Sequence, residues 1–311
     1  MAWRTVLVQN AAKLTLAKGQ LALDNAEGAF TLPLEDIFAL ILESPQITLS
    51  SSLLSACQSH GIAVITCDDT HMPNGALLPF LPHSRQSRIS QLQTGWSEAF
   101  RKRVWQKIVR CKISNQASCL ADRIDPASST RLTALADKVG SGDPANIEAQ
   151  AARDYWPRLF GPTFRRHAPD TINAALNYAY AVLRAMIARS QIAYGLLPCF
   201  GLHHNGELNA FNLTDDVMEV ARPTIDSYVH LLIRTDALNP SEQTLGVTQR
   251  RLLAGIGALP LRYNGQTFTL TALADKMAAN LVTAIEARSA ALFITPDYLP
   301  NDTGANKDHE R

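Results

Sequence analysis

The hydrophobic period of this chain changes near residue 83, and the sign of the charge changes with it. Before that point, short β-branched runs alternate with turn residues. Runs at 6–9, 13–17, Gln20–Asn25 and 29–32 are punctuated by Asn10, Gly19 and Gly28, and two more lie at Ile47–Leu49 and 62–66. A short helix is expected at 53–59, stopped by Gly61, and Asn74-Gly75 reads as a turn. After residue 83 the period is helical. Leu92, Trp96, Phe100, Val104 and Ile108 recur about every fourth residue. A second helix is expected over 172–194, ended by Gly195, and a third over 213–234, interrupted at Pro223. The stretch 261–270 around Asn264-Gly265 reads as a late hairpin, 271–291 as a helix, and 300–311 as a solvated tail. The expected fold class is therefore α+β. A small β-sandwich-like domain over 1–82 precedes a larger, mainly α-helical domain over 83–300 that carries a small β-hairpin, and 301–311 is a disordered tail.

Charge sharpens this division. The net charge is +1, but residues 1–82 hold only Arg4, Lys13 and Lys18 against seven acidic side chains. Residues 83–112 hold Arg85, Arg88, Arg101, Lys102, Arg103, Lys107, Arg110 and Lys112 against Glu98 alone. That run is either a solvated helix face or a phosphate-binding one, with Trp96, Phe100 and Trp105 at core spacing between the charges. Hydrophobic residues make up 46% of the 311, enough for a packed core, and no apolar run reaches the length of a membrane span. The N-terminus reads as neither a signal peptide nor an anchor. Five cysteines, an odd number without a CxxC, argue against a zinc cage or a disulfide framework and fit a reducing cytoplasm. No Walker loop, dinucleotide fingerprint, HExxH or GxSxG is present.

The segment 201–223 carries the chemistry. Asp216 and Glu219 are spaced i,i+3 and share a helix face among Val217, Met218 and Val220, with Asn212 or Thr214 as candidate caps. Two carboxylates on one partly dry face repel each other unless something positive lies between them. A divalent cation is one answer and Arg222 is the other; acidic residues near a helix start also simply suit its dipole. His203 and His204 precede that helix in a glycine-bounded segment. Upstream, Glu148 stands among small residues in 147–153, placed to project into a packed interface or to face solvent.

Taken together these segments resemble the CRISPR-associated spacer-acquisition integrase, the adaptation nuclease of CRISPR systems, in the form found with a single-protein effector. Ile147-Glu148-Ala149-Gln150-Ala151-Ala152-Arg153 resembles the family's glutamate helix. Ile172-Asn173-Ala174-Ala175-Leu176-Asn177-Tyr178-Ala179-Tyr180, with Gly195-Leu196-Leu197-Pro198, resembles its Asn-x-x-Leu-Asn-Tyr-x-Tyr helix and Gly-Leu-x-Pro ending. Gly201-Leu202-His203-His204 resembles its histidine segment. Asp216-Val217-Met218-Glu219-Val220-Ala221-Arg222-Pro223 resembles its Asp-Leu-Met-Glu-Pro-Phe-Arg-Pro, with Val220-Ala221 in place of Pro-Phe. The resemblance implies a metal held by Glu148, His204 and Glu219, with Asp216 a further acidic residue close by. His204 rather than His203 is chosen because the family's ligand is the fourth residue of Gly-x-x-His. Oxygen ligands with one imidazole suit Mg²⁺ or Mn²⁺. The implied reaction is transesterification, a DNA 3′-hydroxyl attacking a phosphodiester of the CRISPR array. Hydrolysis of branched DNA alone and non-catalytic DNA binding are the rival readings. The implied partners are double-stranded and branched DNA, a second copy of the chain joined through its β domain, a small adaptation protein bridging two such dimers, and the effector nuclease as a further candidate. Arg85, Arg101, Arg103, Lys107, Arg165 and Arg166 are the candidate phosphate contacts.

Overall fold

The computed structural model describes residues 3–80 and 83–300. The expected boundary at residue 82 and the tail 301–311 lie outside those residues.

Strands β1 (Arg4–Val8), β2 (Ala12–Ala17), β3 (Gln20–Asn25), β4 (Gly28–Pro33), β5 (Ile37–Leu42) and β6 (Ile47–Leu49) precede α1 (Ser51–Ser59). Strands β7 (Ala63–Cys67) and β8 (Pro73–Leu77) follow it. One sheet runs β1-β5-β7-β8 and a second β4-β3-β2-β6. Between them Val8, Leu14, Leu21, Leu40 and Val64, with Leu53 from α1, form a small core. Lys13, between the buried Ala12 and Leu14 of β2, shows the alternation that makes such strands legible.

Strand β5 does not alternate: all six residues of Ile-Phe-Ala-Leu-Ile-Leu are buried. Ile37, Leu40 and Leu42 face the small core, while Phe38, Ala39 and Ile41 join a larger core shared with the helices. The sheet is thus covered on both faces, and a period of two cannot reveal such a strand. The β1 pairing steps from Arg4↔Ile37 to Thr5↔Ala39, skipping Phe38, which is why Ile37 and Leu40 share a face. Asn74-Gly75 is not the expected turn but lies inside β8, with Gly75 opposite Thr66. A β-carbon on Gly75 would lie 2.6 Å from Thr66 Oγ1, so the glycine serves close strand approach. The chain reverses instead near Asp68, whose Oδ1 accepts from Thr70 N, Thr70 Oγ1 and Met72 N.

The helical region runs α2 (Gln86–Thr94), α3 (Glu98–Arg123), α4 (Thr130–Ala136), α5 (Ile147–Phe160), α6 (Thr171–Ala193), α7 (Asn212–Met218), α8 (Arg222–Arg234) and α9 (Val247–Ala254). Then come β9 (Pro260–Tyr263), β10 (Gln266–Thr269), α10 (Leu270–Glu286) and β11 (Asp297–Tyr298). The stripe from Leu92 to Ile108 is split at Gly95, and Ser97 caps the new start by accepting from Phe100 N. The break between α7 and α8 falls at residues 219–221, ahead of Pro223, which sits in the first turn of α8. The late hairpin forms around Asn264 and Gly265, both at positive φ, and gains β11 as a third strand. Helix α10 stops at Glu286, short of the expected 291.

Helix α6 is apolar almost all round, with Leu176, Ala179, Leu183 and Ile187 buried, and it packs on both the other helices and the β1-β5-β7-β8 sheet. Polar clamps close the seam between the two regions. Arg189 of α6 donates to Gly61 O, pairs with Asp275 at 2.7 Å and lies over the Phe38 ring. Arg250 of α9 pairs with Glu43, and both are buried. Among the described residues no helix is long and apolar enough to cross a membrane.

Candidate active site

Three elements converge on Lys112. Helix α5 starts under a double cap: Asp143 accepts from Ile147 N and Glu148 N, and Asn146 accepts from Ala149 N. This start places Glu148 in the first turn, where its Oε1 lies 2.5 Å from Lys112 Nζ. Glu219, in the break between α7 and α8, approaches the same ammonium through Oε2 at 2.6 Å. Its Oε1 lies 2.6 Å from Arg222 Nη1, and the Arg222 guanidinium stacks over Tyr180. Arg222 meets Glu219 but not Asp216, the carboxylate that the sequence set beside it; Asp216 turns to the histidine segment instead, and Glu219 shares a second cation, Lys112, with Glu148. Lys112 belongs to the basic run that the sequence reads as either a solvated or a phosphate-binding face, yet its side chain is only 12% exposed.

The electrostatics follow from this packing. Burial alone would lower the Lys112 pKa and raise that of Glu219. The charges of Glu219 and Glu148 outweigh burial and raise Lys112, while Arg222 and Lys112 outweigh it and lower Glu219. Each of Lys112 and Glu219 thus favours the charged form of the other, and Arg222 adds to the hold on Glu219.

Asp216 does not join that cluster. It is fully buried, and its Oδ2 accepts from Leu202 N and His203 N. Its Oδ1 accepts from His204 N and lies 2.6 Å from His204 Nδ1. That bond, against the opposing effect of burial, raises the His204 pKa. Asp216 thus shapes the histidine segment and leaves His204 Nε2 as the outward nitrogen. Gly201 is required there, because a β-carbon would meet His204 O at 2.2 Å and Asp216 Oδ2 at 2.8 Å. Asn212 opens α7 without capping it; its amide donates to Cys199 O, Gly206 O and Asn209 O and so closes the loop. Thr214 does not cap either, since its hydroxyl donates to Gln191. The two histidines separate by environment. His203 stacks flat on Trp105, centroids 4.4 Å apart, whereas His204 meets the indole edge-on. Trp105 and Lys112 lie seven residues apart on α3, hence on one face, and together they form the wall of the site.

Residues 5–249 match the family model of the CRISPR associated protein Cas1. The chain belongs to the Cas1 family. It is 40% identical over 300 residues to the CRISPR-associated endonuclease Cas1 of Neisseria meningitidis serogroup C, covering 96% of this chain and 98% of the relative. Among solved structures it is similar to a chain of a Cas6-RT-Cas1–Cas2 complex, with a TM-score of 0.75 and 19% identity over 95% of this chain; it spans 36% of that chain. It is also similar to a casposase bound to integration product, with a TM-score of 0.73 and 18% identity over 92% of this chain and 91% of that one. These two structural likenesses extend the Cas1 fold over nearly all of the chain.

On this Cas1 fold the six arginines and lysines read from the sequence as phosphate contacts divide into two groups. Arg85, Arg101 and Arg103 make no side-chain ion pair or hydrogen bond among the described residues. Lys107 instead donates to Ala291 O and Phe293 O, holding the chain after α10 against α3. Arg165 donates to Pro162 O and Phe164 O. Arg166 donates to Asn173 and Asn177 and stacks on Tyr180. These three heads are engaged by the fold. Arg288, which follows α10 at φ 51, joins Arg103, Lys107 and Arg110 in lining a cavity of about 420 Å³. That cavity faces away from Lys112, because Arg103 and Lys112 are nine residues apart, two and a half helical turns.

The donor chemistry of the carboxylate pair fits a hard divalent cation. Glu148 Oε1 and Glu219 Oε2 already grip one small cation, and Glu219 Oε2 is buried without a well-directed hydrogen bond. His204 is not gathered with them: among the described residues no three His, Cys, Asp or Glu side chains stand close enough to share an ion.

Proposed function

We propose that this Cas1 chain cuts and joins DNA phosphodiesters in CRISPR adaptation at the site built by Glu148, Glu219, His204 and Asp216. The convergence of two carboxylates, one from α5 and one from the α7–α8 break, on a single cation carries this reading. The Neisseria meningitidis relative is named an endonuclease, and the casposase of similar fold is bound to an integration product. Mg²⁺ or Mn²⁺, when bound, would polarise the scissile phosphate and stabilise the leaving oxygen. Glu148 and Glu219 would hold it, and His204, which stands apart from them without the ion, would have to move in to serve as the third ligand through Nε2. Asp216 keeps that imidazole turned outward by holding Nδ1. Arg222 fixes Glu219 from the far oxygen. In joining, the attacking group is a DNA 3′-hydroxyl; in hydrolysis it is water.

DNA would reach the site along the side of α3 that carries Arg101, eleven residues before Lys112 and so on the same face of the helix. The partner is proposed to be a small adaptation protein, in keeping with the Cas1–Cas2 complex of similar fold. The β region is the proposed contact between two copies. It is the acidic half, and it exposes Phe30 and Phe80 at 51% and 95%.

A strand-transfer assay tests the reaction. The protein, with its small partner, is mixed with a short duplex and a supercoiled plasmid bearing leader and repeat, in Mn²⁺, Mg²⁺ or EDTA, beside Glu148→Ala. The expected result is joined plasmid that requires both the ion and Glu148. Nicking without joining would leave hydrolysis alone, and equal behaviour of the variant would leave a DNA-binding scaffold.

A further inference from the structure

We propose that Lys112 is a resident counter-cation of the Glu148–Glu219 pair, occupying the divalent ion's seat and so setting the affinity of the site for it. This rests on the metal-site reading above. The two carboxylates come from α5 and from the α7–α8 break, and burial would drive them apart without a cation between them. The Lys112 ammonium is that cation, at 2.5 and 2.6 Å from one oxygen of each. Two oxygens gripped by one small cation are placed to be gripped by another.

Four observations make the lysine displaceable rather than fixed. Its contact with Glu219 Oε2 is close but not a well-directed hydrogen bond. Glu148 is 26% exposed, so the cluster opens toward solvent on that side. Arg222 holds Glu219 through the other oxygen, so this carboxylate keeps its orientation when Lys112 withdraws. Lysine is also a compact point charge on a flexible stem, whereas an arginine fork would lock both carboxylates. Lys112 thus keeps three elements assembled before the ion arrives. It is a positioning residue, and it makes entry of the divalent ion an exchange of one cation for another.

Mn²⁺ binding to the full chain, read by calorimetry and by the EPR signal of free Mn²⁺, tests this without DNA or turnover. Lys112→Met keeps the stem and removes the charge, and it should bind Mn²⁺ at least about tenfold more tightly than wild type. Its melting temperature without metal should fall, and the rise on adding Mn²⁺ should exceed that of wild type. If the Met variant does not fold, Lys112→Gln, whose amide can still bridge to one carboxylate, should show the same gain. Lys112→Arg should show none. A lysine that merely supports the fold would lower the melting temperature and leave Mn²⁺ affinity equal or weaker; that result, with wild-type binding still abolished by Glu219→Gln, overturns the proposal alone. If neither wild type nor the Lys112 variants bind Mn²⁺ through Glu219, the metal-site reading falls, and this proposal with it.

Discussion

Glu43 and Glu219 are both buried carboxylates gripped by an arginine, yet they sit in clusters built to opposite ends. Glu43, at the seam between the β and helical regions, gives Oε1 to Arg250 Nε and Nη2 at 2.8 and 2.7 Å and Oε2 to Gln9. Arg250 donates again to Leu245 O, and the pair's side chains are 1% and 8% exposed. One main opposite charge meets each charge, and solvent is shut out. Glu219 is as buried, but its neighbours Arg222 and Glu148 are about a quarter exposed, and it shares Lys112 with another carboxylate. A closed pair can only hold, because removing either partner strands a charge in a medium that cannot solvate it. An open cluster with more charges than directed bonds can exchange one cation for another.

The largest expected difference between the two is in activity. Glu148→Ala or Glu219→Ala should lower the strand-joining rate roughly a thousandfold or more, the equivalent of several kcal/mol of metal-derived stabilisation. Glu43→Gln should leave the rate per folded molecule within about twofold of wild type. Equal losses in both would erase the contrast.

Stability should run the other way. Arg250→Met strands Glu43 and should cost about 3–5 kcal/mol in denaturant titration. Glu148→Gln, in a partly exposed pair, should cost under about 1 kcal/mol. Glu219→Ala should fall between them. Glu219 is only 3% exposed and holds two cations.

Asp216→Asn sharpens the division inside the site itself. It frees His204 Nδ1 without touching the carboxylate pair, so metal affinity or joining rate should drop about 10–100-fold while the seam is unaffected. A smaller effect follows at the DNA path. Reversing Arg101 should weaken duplex binding and reduce its salt slope by about one for the lost phosphate contact. Arg166→Glu should lower the melting temperature instead, because its head is held by Asn173 and Asn177.

A pH scan of the melting temperature gives the finest test. Burial raises the Asp226 pKa from 3.8 to about 7, although the Tyr180 and Tyr155 hydroxyls donate to it and favour the charged form. The folded chain then keeps a proton that the unfolded chain releases near 3.8. The stabilisation is complete below that value and is lost as pH climbs through about 7. Asp226→Asn should flatten that decline; an unchanged slope would place its origin elsewhere.

Local pattern carried much of this molecule. The strands Gln20–Asn25 and Ile47–Leu49, the Asn264-Gly265 hairpin and helix α6 follow from turn residues, β-branched runs and a period of 3.6, all set by near neighbours in the chain. Glu148, His204, Asp216 and Glu219 were singled out by resemblance to the family, since their spacing alone left ordinary structural roles open; the structure sets Glu148 and Glu219 on one lysine and Asp216 against His204. Pattern did not reach β5, whose two buried faces erase alternation, nor β8, where Gly75 serves strand approach rather than a turn. Nor did it reach the choice among charges. Lys107, Lys112, Arg165 and Arg166 read alike in sequence as basic side chains. The turn after α10 engages the first, two carboxylates the second, and carbonyls and asparagines the last two. The residues of a helix determine which faces are apolar and which are charged. What covers each face is settled only when α3, α5 and the α7–α8 break meet, and there burial compels every charge to find a partner.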